Sequence, residues 1–122
     1  MMERLIIKSF LFCVIVLSAC YYDVEEVLYP ASNCVTTNLS YQTHIEPIIQ
    51  RNCYACHSAA VNSGNITLEG YNQLVQHINS GRVMGAIRHE SGFLPMPQNA
   101  PKLIPCDIAK IEQWVADGAP NN

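Results

Sequence analysis

Two cysteines and a histidine, Cys53-Tyr54-Ala55-Cys56-His57, carry the clearest chemical signature in this chain of 122 residues. Thiols three positions apart stand about one helical turn from each other. Each can therefore add to one of the two vinyl groups of a single porphyrin, and the imidazole that follows reaches the iron from one face. C-x-x-C-H thus reads as a haem c attachment site with His57 as proximal ligand, its other ring nitrogen held by a main-chain carbonyl or a similar acceptor. Composition alone would produce the pentapeptide in about one such chain in a hundred. Three other uses of the same residues compete. A thioredoxin-like redox pair needs a βαβ context with a strand before it, and the preceding segment reads helical. A zinc site needs a fourth ligand, and no second C-x-x-C or H-x-x-x-H follows. A Cys53–Cys56 disulfide would close a tight, strained loop.

A second axial ligand has several sources. Met96 lies in Gly92-Phe93-Leu94-Pro95-Met96-Pro97. The flanking prolines stiffen the loop, and Pro97 biases Met96 toward an extended backbone, so the thioether is presented at little cost in ordering entropy. Met84 sits in a helical or turn context and reads as core filling. His44, His77 and His89 are the remaining alternatives, of which His89 lies in the same distal segment as Met96. Without a second ligand the iron is five-coordinate, open to peroxide, NO or CO.

The elements that must position these groups are helical. Thr43-His44-Ile45-Glu46 fits a capping box, and Ile45, Ile48 and Ile49 follow on one face. Pro47 is tolerated only in a first turn, so the helix is expected to start near Thr43, or at Ser40 with a kink, and to run to the cysteines. Leu74, Val75 and Ile78 predict a second helix from Tyr71 to Asn79, closed by Gly81; Val83 to His89 predicts a further turn. A last helix opens at Pro105, carries Asp107 at its positive end, aligns Ile108, Ile111 and Val115 beside Trp114, and stops at Gly118. No sustained alternation predicts a strand, so the expected class is all-α.

The chain is 49% hydrophobic and 14% charged, with a net charge of −3, which excludes a basic nucleic-acid binder and an acidic disordered tail. No catalytic triad, phosphate loop or paired carboxylates stand out. The reading is of a non-enzyme with no small-molecule substrate and no nucleic-acid partner. Much of the apolar excess lies in residues 1–20, MMERLIIKSFLFCVIVLSAC. Arg4 and Lys8, the apolar run Phe10 to Leu17, and then Ser18 and Ala19 give a secretory signal over 1–19. Leu17-Ser18-Ala19-Cys20 resembles the bacterial lipoprotein signal, which implies Cys20 as a lipid-attachment site and residues 20–39 as a lipid-anchored tether. Acyl chains contribute about 0.8 kcal/mol per buried CH₂. The expected place is the periplasmic side of a bacterial membrane. Residues 20–122 carry five basic and nine acidic residues, a net charge of −4. In that oxidising setting Cys34 and Cys106 are a disulfide candidate, with two buried free thiols as the alternative.

From residue 40 to 120 the pieces Tyr41-Gln42-Thr43-His44-Ile45-Glu46-Pro47-Ile48-Ile49, C-x-x-C-H, Leu68-Glu69-Gly70-Tyr71-Asn72-Gln73-Leu74, Met96-Pro97 and Ile111-Glu112-Gln113-Trp114-Val115-Ala116-Asp117-Gly118-Ala119-Pro120 stand in order. In this the chain resembles bacterial class-I-like cytochrome c domains, small, mono-haem and membrane-anchored. The resemblance implies a cytochrome c-like fold over 40–122, three to four short helices around one covalently bound haem c. It also implies iron held by His57 and Met96, thioethers at Cys53 and Cys56, and electron transfer to redox partner proteins. One departure is the Leu103-Ile104-Pro105-Cys106 stretch, where the family often has a Ser or Thr capping the last helix.

Overall fold

Pro47 dictates how the chain enters its first helix. In the computed structural model, which describes residues 34–122, a π-helical turn over Tyr41–Ile45 leads directly into α1, Glu46–His57. Proline has no N–H for the carbonyl four residues back, and its ring crowds that oxygen. The wide turn changes the register just before Pro47, with the Glu46 N–H donating to the Tyr41 carbonyl, and the proline falls in the first turn of α1. The expected signal peptide 1–19, the Cys20 anchor and residues 20–33 of the tether lie outside the described residues. The compact unit runs from Cys34 to Asn122 and includes buried Leu39.

The capping expected of Thr43 is done differently. The Ser40 N–H donates to Nδ1 of His44 at 3.0 Å, and the Thr43 hydroxyl lies 2.8 Å from the same nitrogen. The far end of the unit supplies the other acceptors. Asn122 receives the Tyr41 N–H on its side-chain oxygen at 3.0 Å, and on its main-chain oxygen the Gln42 N–H at 3.1 Å and the Ser40 hydroxyl at 2.6 Å. A helix start leaves orphan donors, and here a residue some eighty positions away satisfies them.

A short 3₁₀ turn, Ser63–Asn65, follows α1. Then come α2, Tyr71–Asn79, α3, Arg82–Arg88, and α4, Pro105–Ala116. Both α2 and the start of α4 coincide with the sequence reading. Gly81, at φ 74°, separates α2 from α3 in a left-handed turn that glycine adopts without steric cost. Four α-helices and no strand occur among the described residues, an all-α architecture. No described helix is long and apolar enough to cross a membrane.

Trp114 on α4 is fully buried with Ile45, Ile49, Leu74 and Ile111. Its ring centroid lies 6.0 Å from that of Tyr41, which meets Tyr71 edge-on at 5.2 Å. The aromatic cluster thereby joins the entry to α1, the start of α2 and the last turn of α4. Aromatic pairs of this geometry contribute about 0.5–1.5 kcal/mol each beyond their burial. The polar tips of Trp114 and Tyr71 are satisfied, Trp114 Nε1 donating to the Pro120 carbonyl at 3.0 Å and the Tyr71 hydroxyl to that of Ala119 at 2.8 Å.

The N-terminus of α4 has no side-chain cap, Ile104 standing at that position. Two links hold it instead. A disulfide joins Cys34 to Cys106, their Cα atoms 5.6 Å apart. Asp107 is buried and receives a 2.7 Å hydrogen bond from Arg51 of α1. A carboxylate expected to complement the helix dipole thus also clasps a second helix.

Candidate haem-attachment site

Cys53, Cys56 and His57 occupy the last two turns of α1. That helix is anchored on the core by Ile48 and Ile49, so the motif projects from a fixed rod. Both cysteines are free thiols, and they sit in different surroundings. Cys53 packs against the hydrophobic core, and burial pushes its thiol up to about 11. Cys56 is exposed. No strand precedes the motif among the described residues, which removes the context a thioredoxin-like pair requires.

His57 is held at both ends. Its ring Nδ1 stands 3.0 Å from the Ile66 carbonyl, and since a carbonyl only accepts, Nδ1 carries the proton. Its own carbonyl accepts from the Leu68 N–H at 2.8 Å and the Thr67 hydroxyl at 3.4 Å. The returning segment 66–68 therefore fixes the tautomer and leaves Nε2 with its lone pair. That is the form in which an imidazole binds a metal, with an outer carbonyl setting ring orientation and raising basicity. Tyr54, between the cysteines in sequence, accepts the Gly70 N–H on its hydroxyl at 3.3 Å, tying α1 to the start of α2.

Met96 is half-buried, and its main chain is pinned on α3. Its N–H donates to the Ala86 carbonyl at 3.1 Å, and its carbonyl lies 3.1 Å from Nε2 of His89. The Met96–Pro97 peptide is cis. Phe93, three residues earlier, lays its ring against Gly85 of α3, where any Cβ would collide with it. A glycine inside a helical pattern signals close approach of another group; Gly85 is a residue that sequence reasoning passed over.

Of the other candidate ligands, His44, His89 and Met84 are engaged elsewhere. His44 caps the first helix through Nδ1. His77, half-buried on α2, has its pKa lowered by burial and then by its Coulombic interactions with Arg82 and His57. His89, exposed, spends Nε2 on the Met96 carbonyl. Met84 packs against the core. Among the described residues no three His, Cys, Asp or Glu side chains gather as a metal cluster. Haem iron takes at most two axial protein ligands, one of which can be a thioether, so such a cluster is not what the motif calls for.

The residues present fit a haem c: two unpaired thiols one turn apart and a histidine with the correct nitrogen free. No protein family, curated protein or solved structure matches the chain.

Proposed function

We propose that the chain is a membrane-anchored mono-haem cytochrome c whose role is electron transfer. Haem c, joined to Cys53 and Cys56 through thioethers, supplies a one-electron Fe(III)/Fe(II) couple. The observation that carries this reading is the His57–Ile66 hydrogen bond, which prepares Nε2 of the motif histidine as a ligand. His57 and Met96 would hold the iron, and with both bound no position would be left for a substrate. A methionine ligand raises the potential. The cytochrome c-like fold, the periplasmic location and the Cys20 lipid anchor belong to the same proposal.

The chain's own residues do the rest. The core beneath Cys53 excludes water from one edge of the site, and the segment 66–68 keeps the imidazole from turning. Partners are redox proteins. The net charge of −4 over residues 20–122 makes their steering weak and salt-sensitive, toward basic patches.

The test is the exported protein matured in a bacterium that makes c-type cytochromes. Haem stain that persists on a denaturing gel, the added mass of one haem, and an oxidised spectrum with the weak red-edge band of methionine ligation are expected. A bare polypeptide sinks the proposal. CO binding to the reduced protein without that band turns it to the five-coordinate, ligand-reactive reading.

A further inference from the structure

His89 occupies a costly position. It ends α3 at φ 57°, ψ 41°, the left-handed conformation in which helices commonly terminate on glycine. For a residue with a Cβ that conformation costs about 1–2 kcal/mol. The helix end itself makes no use of the imidazole: the His89 N–H reaches the Ala86 carbonyl at 3.2 Å and the Glu90 N–H reaches Gly85 at 2.9 Å, bonds a glycine would make equally well. What the side chain adds is its Nε2 contact with the Met96 carbonyl, 3.1 Å away. The turn aims the ring back across the loop 90–95, so that Met96 is gripped on both sides of its peptide plane system, by Ala86 at its N–H and by His89 at its C=O.

We propose that His89 is a positioning residue for Met96: its imidazole fixes the backbone from which the thioether is presented to the haem iron. This rests on the His57/Met96 reading. The hydrogen bond requires only that Nε2 carry a proton, which both the Nε2–H neutral ring and the imidazolium provide.

The experiment uses the haem-loaded protein and follows displacement of the methionine by added imidazole, read as loss of the red-edge band, beside thermal melting. H89G removes the clamp and relieves the backbone, so it separates the two roles. It is expected to melt at or above the parent's temperature and yet to release Met96 at about 3- to 10-fold lower imidazole, the equivalent of one lost hydrogen bond. H89Q, whose amide can donate, is expected to restore the parent's titration. An H89G titration superimposed on the parent's overturns the proposal. M96A distinguishes the underlying reading: the band must vanish in that variant, and a band that persists overturns both.

Discussion

The imidazole of His57 donates through Nδ1 to the carbonyl of Ile66 at 3.0 Å, nine residues further along the chain. The segment that begins there also bonds the main chain of His57. Ring and backbone of the motif histidine are thus set by one returning stretch. Replacing His57 with alanine should leave the segment without its ring partner and, on the proposed haem reading, the iron without its proximal ligand. Any H57A protein that retains haem is expected to bind CO when reduced, whereas the parent does not. Converting both Cys53 and Cys56 to alanine should abolish haem staining on a denaturing gel.

The two motif thiols differ in their surroundings, and alkylation of the haem-free chain should resolve them. Burial disfavours the thiolate of Cys53 and carries its pKa up to about 11, so the protonated, unreactive form persists well above neutral pH. Exposed Cys56 should react first at pH about 8, with Cys53 at least tenfold slower. The Cys53 rate should climb as the pH is raised toward about 11. Equal rates at pH about 8 would show that Cys53 is not seated on the core.

The Cys34–Cys106 bridge spans 72 positions and attaches the first described residue to the uncapped start of α4. Closing a loop of that order stabilises a fold by about 2–4 kcal/mol. The C34S/C106S double variant should melt lower by roughly 4–8 °C for each kcal/mol lost. The haem-loaded parent, denatured without reductant, should present no thiol from either position; two reactive thiols there would disprove the bridge.

Arg51 and Asp107 join α1 to α4 through a carboxylate that is 9% exposed and a guanidinium that is 61% exposed. The open arginine weakens the pair by solvent screening, so R51A should cost about 1 kcal/mol rather than the several expected of a fully buried pair. Raising salt to about 1 M should shrink the difference between R51A and the parent. A difference that does not change with salt would mean that the arginine acts through its apolar stem.

Much of this arrangement was legible along the chain because its causes are local. Leu74, Val75 and Ile78, with Gly81 behind them, define α2; Pro105 and Gly118 bracket α4. What escaped local reasoning was set by distant partners. Of the two expected starts of the first helix, near Thr43 or at Ser40 with a kink, the structure takes the earlier one, with Ser40 flanking a wide turn from Tyr41, and what the sequence did not announce is that its acceptors come from Asn122. Asp107 read as a dipole partner because nothing near it in sequence announces Arg51. His89 read as an alternative ligand, since residue type alone does not tell a side chain that binds a metal from one that holds the backbone of its neighbour. The thiols and His57 needed no such context: covalent spacing on a single helix is itself a local property.

The Ala86 carbonyl receives two donors, the N–H of His89 and the N–H of Met96. The last turn of α3 and the methionine loop consequently share one keystone oxygen. Any excursion of that turn that moves the Ala86 carbonyl breaks both hydrogen bonds at once, which couples fraying of the helix end to departure of the loop. Amide hydrogens at 89 and 96 should therefore exchange with solvent in step, and a mutation that loosens this corner anywhere will be felt in the backbone from which the Met96 side chain projects.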